Sequence, residues 1–123
     1  MKTLKYLTML LLMTFAVNSC GFEEDDFLGT WESYAEYNGY EEYELYDYER
    51  VIYAFYNDGT GFYTQSGRRT QFYWDELSRG HLYLRHSDGL TEDFFYRFDR
   101  GDMLVSTDRS FRTYQVFAYI GRY

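Results

Sequence analysis

The chain has one cysteine, no proline, two histidines and two lysines in 123 residues. A single cysteine excludes an internal disulfide, so the fold must be held by packing. The lysines, Lys2 and Lys5, both precede the cysteine at position 20. From Cys20 onward the only cations are ten arginines, set against 20 acids, for a net charge of −10. That balance argues against nucleic acid and against an anionic membrane surface as partners. The longest mostly apolar run, Tyr6 to Ala16, has 11 residues, too short for a membrane-spanning helix, which needs about 20. The lack of proline is unusual for a chain with this many turn signals.

Aromatic residues are abundant instead. Positions 20–123 contain 15 tyrosines, ten phenylalanines and both tryptophans. Such side chains favour the pleated, half-buried surface of a strand, and a disordered segment would be poor in them. Turn signals divide the chain about every ten residues. The resulting strands are Trp31 to Tyr37, Thr60 to Gln65, Arg69 to Glu76, His81 to His86, Leu90 to Phe98, Met103 to Thr107 and Thr113 to Ile120, with Tyr43 to Tyr56 forming one bent strand or two. Asn38-Gly39 is a candidate type I′ turn. No window carries a helical period. Short connections predict antiparallel hairpins, and eight strands can close into an all-β, up-and-down barrel without exposed edges. A two-sheet sandwich is the alternative. Alternation places Trp31, Phe55, Phe72, Trp74, Leu82, Leu84, Phe94, Tyr96, Leu104 and Val116 in the core, with the register of the last strand the least determined.

The N-terminus, MKTLKYLTMLLLMTFAVNSC, has a short basic region, an apolar stretch and small residues before Cys20. It resembles a bacterial lipoprotein signal. The resemblance implies cleavage after residue 19 and acyl chains on Cys20. Several chains anchor stably where one does not, because each buried methylene contributes about 0.8 kcal/mol. Glu23, Glu24, Asp25 and Asp26 follow, either as a self-repelling tether or as a surface-export signal like that of Bacteroidetes lipoproteins. The expected organisation is a signal peptide at 1–19, a lipidated cysteine and acidic tether at 20–26 and one domain at 27–123. The expected location is the outer membrane, on its cell-surface or periplasmic face.

"FLGTWE" at 27–32, "FYNDGTGFY" at 55–63 and "FYWDELSRGHLYL" at 72–84 together resemble the short lipocalin-like domains of Bacteroidetes lipoproteins. That resemblance implies a small barrel closed at one end by Gly29 and Trp31, with Arg122, or alternatively Arg112, stacked on the tryptophan by a cation–π contact. It also implies an interior that holds a small apolar or amphipathic ligand, for which Phe55, Phe72, Trp74, Phe94 and Tyr96 are the candidate contacts. The domain is shorter than a typical lipocalin, so bulky side chains could fill it.

Catalytic chemistry is not apparent. His81 and His86 are five apart, so on one strand they face opposite ways, and neither a metal site nor a cofactor is expected. Glu92-Asp93 and Asp75-Glu76 are adjacent pairs, which point to opposite faces rather than across a cleft. The protein is therefore expected not to be an enzyme. The compositional oddity is "YAEYNGYEEYELYDYE" at 34–49. Tyr40, Tyr43 and Tyr46 there could form a surface patch for a protein or glycan, in which case a filled barrel would act as an interaction module.

Overall fold

Period-two alternation produces strands almost throughout. The computed structural model describes residues 27–121, which form nine strands and one short helix. These are β1 (Gly29–Tyr37), β2 (Glu42–Glu44), β3 (Val51–Phe55), β4 (Thr60–Gln65), β5 (Arg68–Ser78), β6 (His81–His86), β7 (Thr91–Asp99), β8 (Asp102–Ser106) and β9 (Tyr114–Gly121), with one 3-10 turn at Asp47–Glu49. From β3 to β9 each strand pairs antiparallel with the next, β3 also pairs with β1, and β9 returns to β1. Eight strands thus close a barrel, and β2 adds to it as an extra strip. The sandwich alternative is excluded by the β1–β9 closure.

The stretch from Tyr43 to Tyr56 is not one bent strand. β1 is longer than β3, and its free edge is shared. Gly29 to Glu32 pairs with β3, and Ala35 to Tyr37 pairs with β2. At the changeover the Leu45 N–H donates to the Tyr34 carbonyl at 2.9 Å, and the Val51 N–H donates to the hydroxyl of fully buried Ser33 at 2.9 Å. Ser33 thereby supplies an acceptor where the strand ladder is interrupted. The β1–β2 connection is not a type I′ turn, because Gly39 has a positive φ and Asn38 does not. Asn38 uses its side-chain oxygen instead, accepting from the N–H groups of Tyr40 and Glu41.

A β-bulge between Ser33 and Ala35 inverts the alternation of β1 against β9. Trp31 and Ser33 face inward, whereas Ala35 joins Leu104 and Val116 in a small separate cluster with Tyr34, Phe111 and Tyr114. Leu104 and Val116 are therefore buried, as expected, but outside the barrel's main core. Their neighbours Met103 and Phe117 face in and are fully buried. Trp31, Phe55, Phe72, Leu82, Leu84, Phe94 and Tyr96 belong to the main core, and Trp74 packs against it half-buried.

The core is mostly rings set edge-to-face, the arrangement favoured by their quadrupoles. Phe55 meets Phe72 at 5.4 Å and Phe94 at 5.3 Å, and Tyr53 meets Phe94 at 5.0 Å and Phe117 at 5.7 Å. Gly61 makes room for this. A Cβ there would lie 2.2 Å from the Ala54 carbonyl and 2.5 Å from the Phe72 ring.

Candidate functional site

Each barrel strand carries its inward residues from one end to the other, and their chemistry changes along the way. On β5 the order is Trp74, Phe72, Thr70; on β6 it is Leu82, Leu84, His86; on β7 it is Phe98, Tyr96, Phe94, Glu92. On β4 Gly61 is followed by Tyr63 and Gln65, and on β9 Tyr119 and Phe117 by Gln115. One end is thus aromatic and the other polar.

Phe27 plugs the aromatic end. It is 1% exposed and packs against Phe55, Trp74 and Tyr96 at 5.6, 5.0 and 5.5 Å. The Trp31 indole N–H donates to the Phe27 carbonyl at 2.9 Å, and its ring meets Tyr119 at 5.1 Å and Phe98 at 5.9 Å. Gly29, at φ +119°, passes under Tyr119, where a Cβ would fall 2.6 Å from the ring. Gly29 and Trp31 therefore both sit at the closed end. Arg122 lies outside the described residues, as do Cys20 and the acids after it. Arg112 sits beside Gly39 at the opposite end of β1 from Trp31, so it is not the tryptophan's partner.

The five expected ligand contacts come together at this filled end. Phe55, Phe72 and Phe94 are wholly buried among other rings. Tyr96 packs on Phe27 and Phe98, and the Trp74 N–H donates to the carbonyls of Tyr56 and Thr60 across the β3–β4 turn. None of them lines the two cavities at the polar end.

Those cavities have volumes of about 540 and 300 Å³. Tyr53 and Glu92 line both. Tyr63, Gln65, Arg68, Thr70, His86 and Asp88 border the larger, and Glu36, Val105 and Gln115 the smaller. The Tyr53 hydroxyl lies 3.2 Å from each Glu92 carboxylate oxygen, and His86 Nε2 lies 2.7 Å from Glu92 Oε1. Tyr63 sits beside both, its ring 5.0 Å from that of Tyr53 and 5.9 Å from that of His86, and its hydroxyl donates to Gln65 at 3.0 Å. Burial foremost, and then the adjacent Glu92 charge, push the Tyr53 phenol well above its ordinary pKa. Tyr53 therefore remains a hydrogen-bond donor at neutral pH. The arrangement is a polar floor, fixed by its own hydrogen bonds, on top of a packed aromatic core.

His81 and His86 face opposite ways, as their spacing predicts. His81 stacks on Phe95 at 4.2 Å on the outer wall and meets Asp93 at 2.8 Å. His86 is turned into the mouth rather than out at the surface. Glu92 and Asp93 likewise divide between inside and outside. Among the described residues no group of three or more histidine, cysteine, aspartate or glutamate side chains could hold a metal ion.

Tyr40 and Tyr46 are 94% and 69% exposed, and Tyr43 stands at 37%. Tyr46 stacks in parallel on Tyr48, with ring centroids 5.7 Å apart. This surface belongs to the β2 strip and the 3-10 turn, outside the barrel wall.

No protein-family model, no curated protein and no solved structure matches the chain.

Proposed function

We propose that this protein is an envelope lipoprotein, held to the outer membrane by acyl chains on Cys20, whose lipocalin-like barrel binds a small amphipathic molecule at its polar mouth. The observation that carries this reading is the pair of cavities meeting at Tyr53 and Glu92, about 540 and 300 Å³ in volume, within or near the range of small-molecule sites. Rings of Tyr53 and Tyr63 offer apolar walls, and Glu92, His86 and Gln65 offer polar anchors. A long apolar chain fits poorly, because Phe55, Phe72 and Phe94 already fill the interior below. The expected ligand contacts thus move from the core phenylalanines to Tyr53, Tyr63, His86 and Glu92.

A second reading keeps the exposed tyrosines. Tyr40, Tyr46 and Tyr48 are large amphipathic side chains held in the open, which suits a protein or glycan partner. The two readings separate in one experiment. The purified full chain is screened against small amphiphiles by amide chemical-shift mapping. Shifts centred on Tyr53, Tyr63, His86 and Glu92 sustain the first. Their absence, together with glycan or protein binding lost on replacing Tyr40, Tyr43 and Tyr46 by serine, would move the function to the outer strip. The anchor has its own test. Cys20→Ala is expected to release the chain from the membrane fraction, and persistence there would refute lipidation at Cys20.

A further inference from the structure

We propose that the ligand of the mouth is an organic cation, an amine whose ammonium seats on Glu92 among the rings of Tyr53, Tyr63 and His86. This inference rests on the mouth-binding reading and names the ligand class that its chemistry selects.

Three observations carry it. First, the charge of the lining is negative. The carboxylates of Glu36, Asp88 and Glu92 border the two cavities against a single guanidinium, that of exposed Arg68. Second, Glu92 has acceptor capacity to spare. A carboxylate offers about four lone-pair sites. Its described partners are the one Tyr53 hydroxyl, lying 3.2 Å from both oxygens, and His86 at 2.7 Å on Oε1. These contacts hold the group in place and leave room for the N–H donors of an ammonium. Third, the surrounding rings are tilted against one another rather than stacked flat. Tyr53 and Tyr63 are inclined at 54°, and Tyr63 and His86 at 80°. The half-buried ring of Tyr63 borders the larger cavity together with Glu92, and an aromatic face next to a carboxylate attracts a cation by ring quadrupole as well as by charge. An anion would meet Glu92 directly, and a neutral apolar molecule would leave the spare acceptor sites of Glu92 unpaired.

The test uses three molecules that share one aromatic body and differ in charge: tyramine, para-ethylphenol and para-hydroxyphenylacetate. Each is titrated into the full chain, following mouth amides by NMR. Tyramine is expected to bind at least about tenfold more tightly than para-ethylphenol, with the acid weakest. Glu92→Gln is expected to collapse the ratio between the two, bringing tyramine to within about twofold of para-ethylphenol in the same variant. If that variant does not fold, Tyr63→Leu is the substitute, with tyramine again losing selectively. Equal binding of tyramine and para-ethylphenol, or a preference unchanged in the variants, overturns the cation and leaves mouth binding intact. If none of the three perturbs the mouth, the cation inference falls, and the amphiphile screen decides the broader reading.

Discussion

The two ends of the barrel interior are lined by the same strands and carry opposite chemistry. At the closed end Phe27, Phe55, Trp31 and Tyr96 exclude water, and the polar atoms there are satisfied by backbone, as when Trp31 donates to Phe27. At the mouth the inward positions become Gln65, Thr70, His86, Glu92 and Gln115, and their hydrogen bonds are made to one another or left open to a cavity. The boundary falls at Tyr53. Its ring packs in the core against Phe94 and Phe117, and its hydroxyl reaches Glu92. The comparison teaches that a barrel of this size need not be wholly filled or wholly hollow. One end supplies stability and thereby lets the other keep polar groups that contribute little to folding.

The sharpest way to break that division is to hollow the closed end. Phe94 is fully buried and touches Tyr53, Phe55 and Tyr96. Phe94→Ala removes a ring that its neighbours cannot replace, and should cost about 3–5 kcal/mol in denaturant unfolding. A loss well below that would mean the aromatic end is loosely packed.

A smaller effect is expected where β1 changes partners. Ser33→Ala deletes the acceptor of the Val51 N–H in a site with no exposure. An orphaned buried donor costs about 1–3 kcal/mol. Because β3 is held at that point by this bond, faster amide exchange at Val51 should accompany the loss. Unchanged stability would show that water or a shifted carbonyl takes over.

Much of this division could be read from the sequence. Alternation on β5, β6 and β7 placed Phe72, Leu82, Leu84 and Phe94 inside, because one wet and one dry face force a period of two. Continuing each face by one more step gives Thr70, His86 and Glu92, and that signal was present in the chain. It was not usable without the strand register, which sets Phe72 against His86 and Leu84 against Glu92 and so brings Thr70, His86 and Glu92 to one cavity. The bulge at Tyr34 was illegible for a different reason. An extra residue leaves no mark on composition, yet it reverses which side Ala35 faces. Leu104 and Val116 looked like core residues because they are apolar and buried, and alternation cannot say which of two clusters receives them. The role of Phe27 as a plug was hidden by its position before the first strand, where no periodicity applies.

The mildest perturbation probes the boundary itself. Tyr53→Phe keeps the ring and removes the hydroxyl that lies 3.2 Å from the Glu92 oxygens. Glu92 retains His86, so the expected cost is about 0.5–1.5 kcal/mol in thermal or denaturant unfolding. The alkaline limb gives a second reading of the same phenol, whose pKa is raised foremost by burial and then by the Glu92 charge. Tyr53 is held well above its ordinary pKa, and Tyr34, bonded to Asp102, is pushed up to about 12. For a phenol whose folded pKa exceeds its unfolded value, the protonated form is the one that folding favours. Its contribution is complete below about pH 10 and is lost as pH rises toward the folded pKa. Stability should therefore fall above about pH 10, through a window that reaches about 12 for Tyr34 and to which the raised phenol of Tyr53 also contributes. In Tyr53→Phe that alkaline loss should be shallower, and tyrosinate absorbance should lose one of its latest-titrating groups. An unchanged profile would place Tyr53 outside the alkaline transition, and the boundary between the dry and wet ends would then lie nearer the mouth.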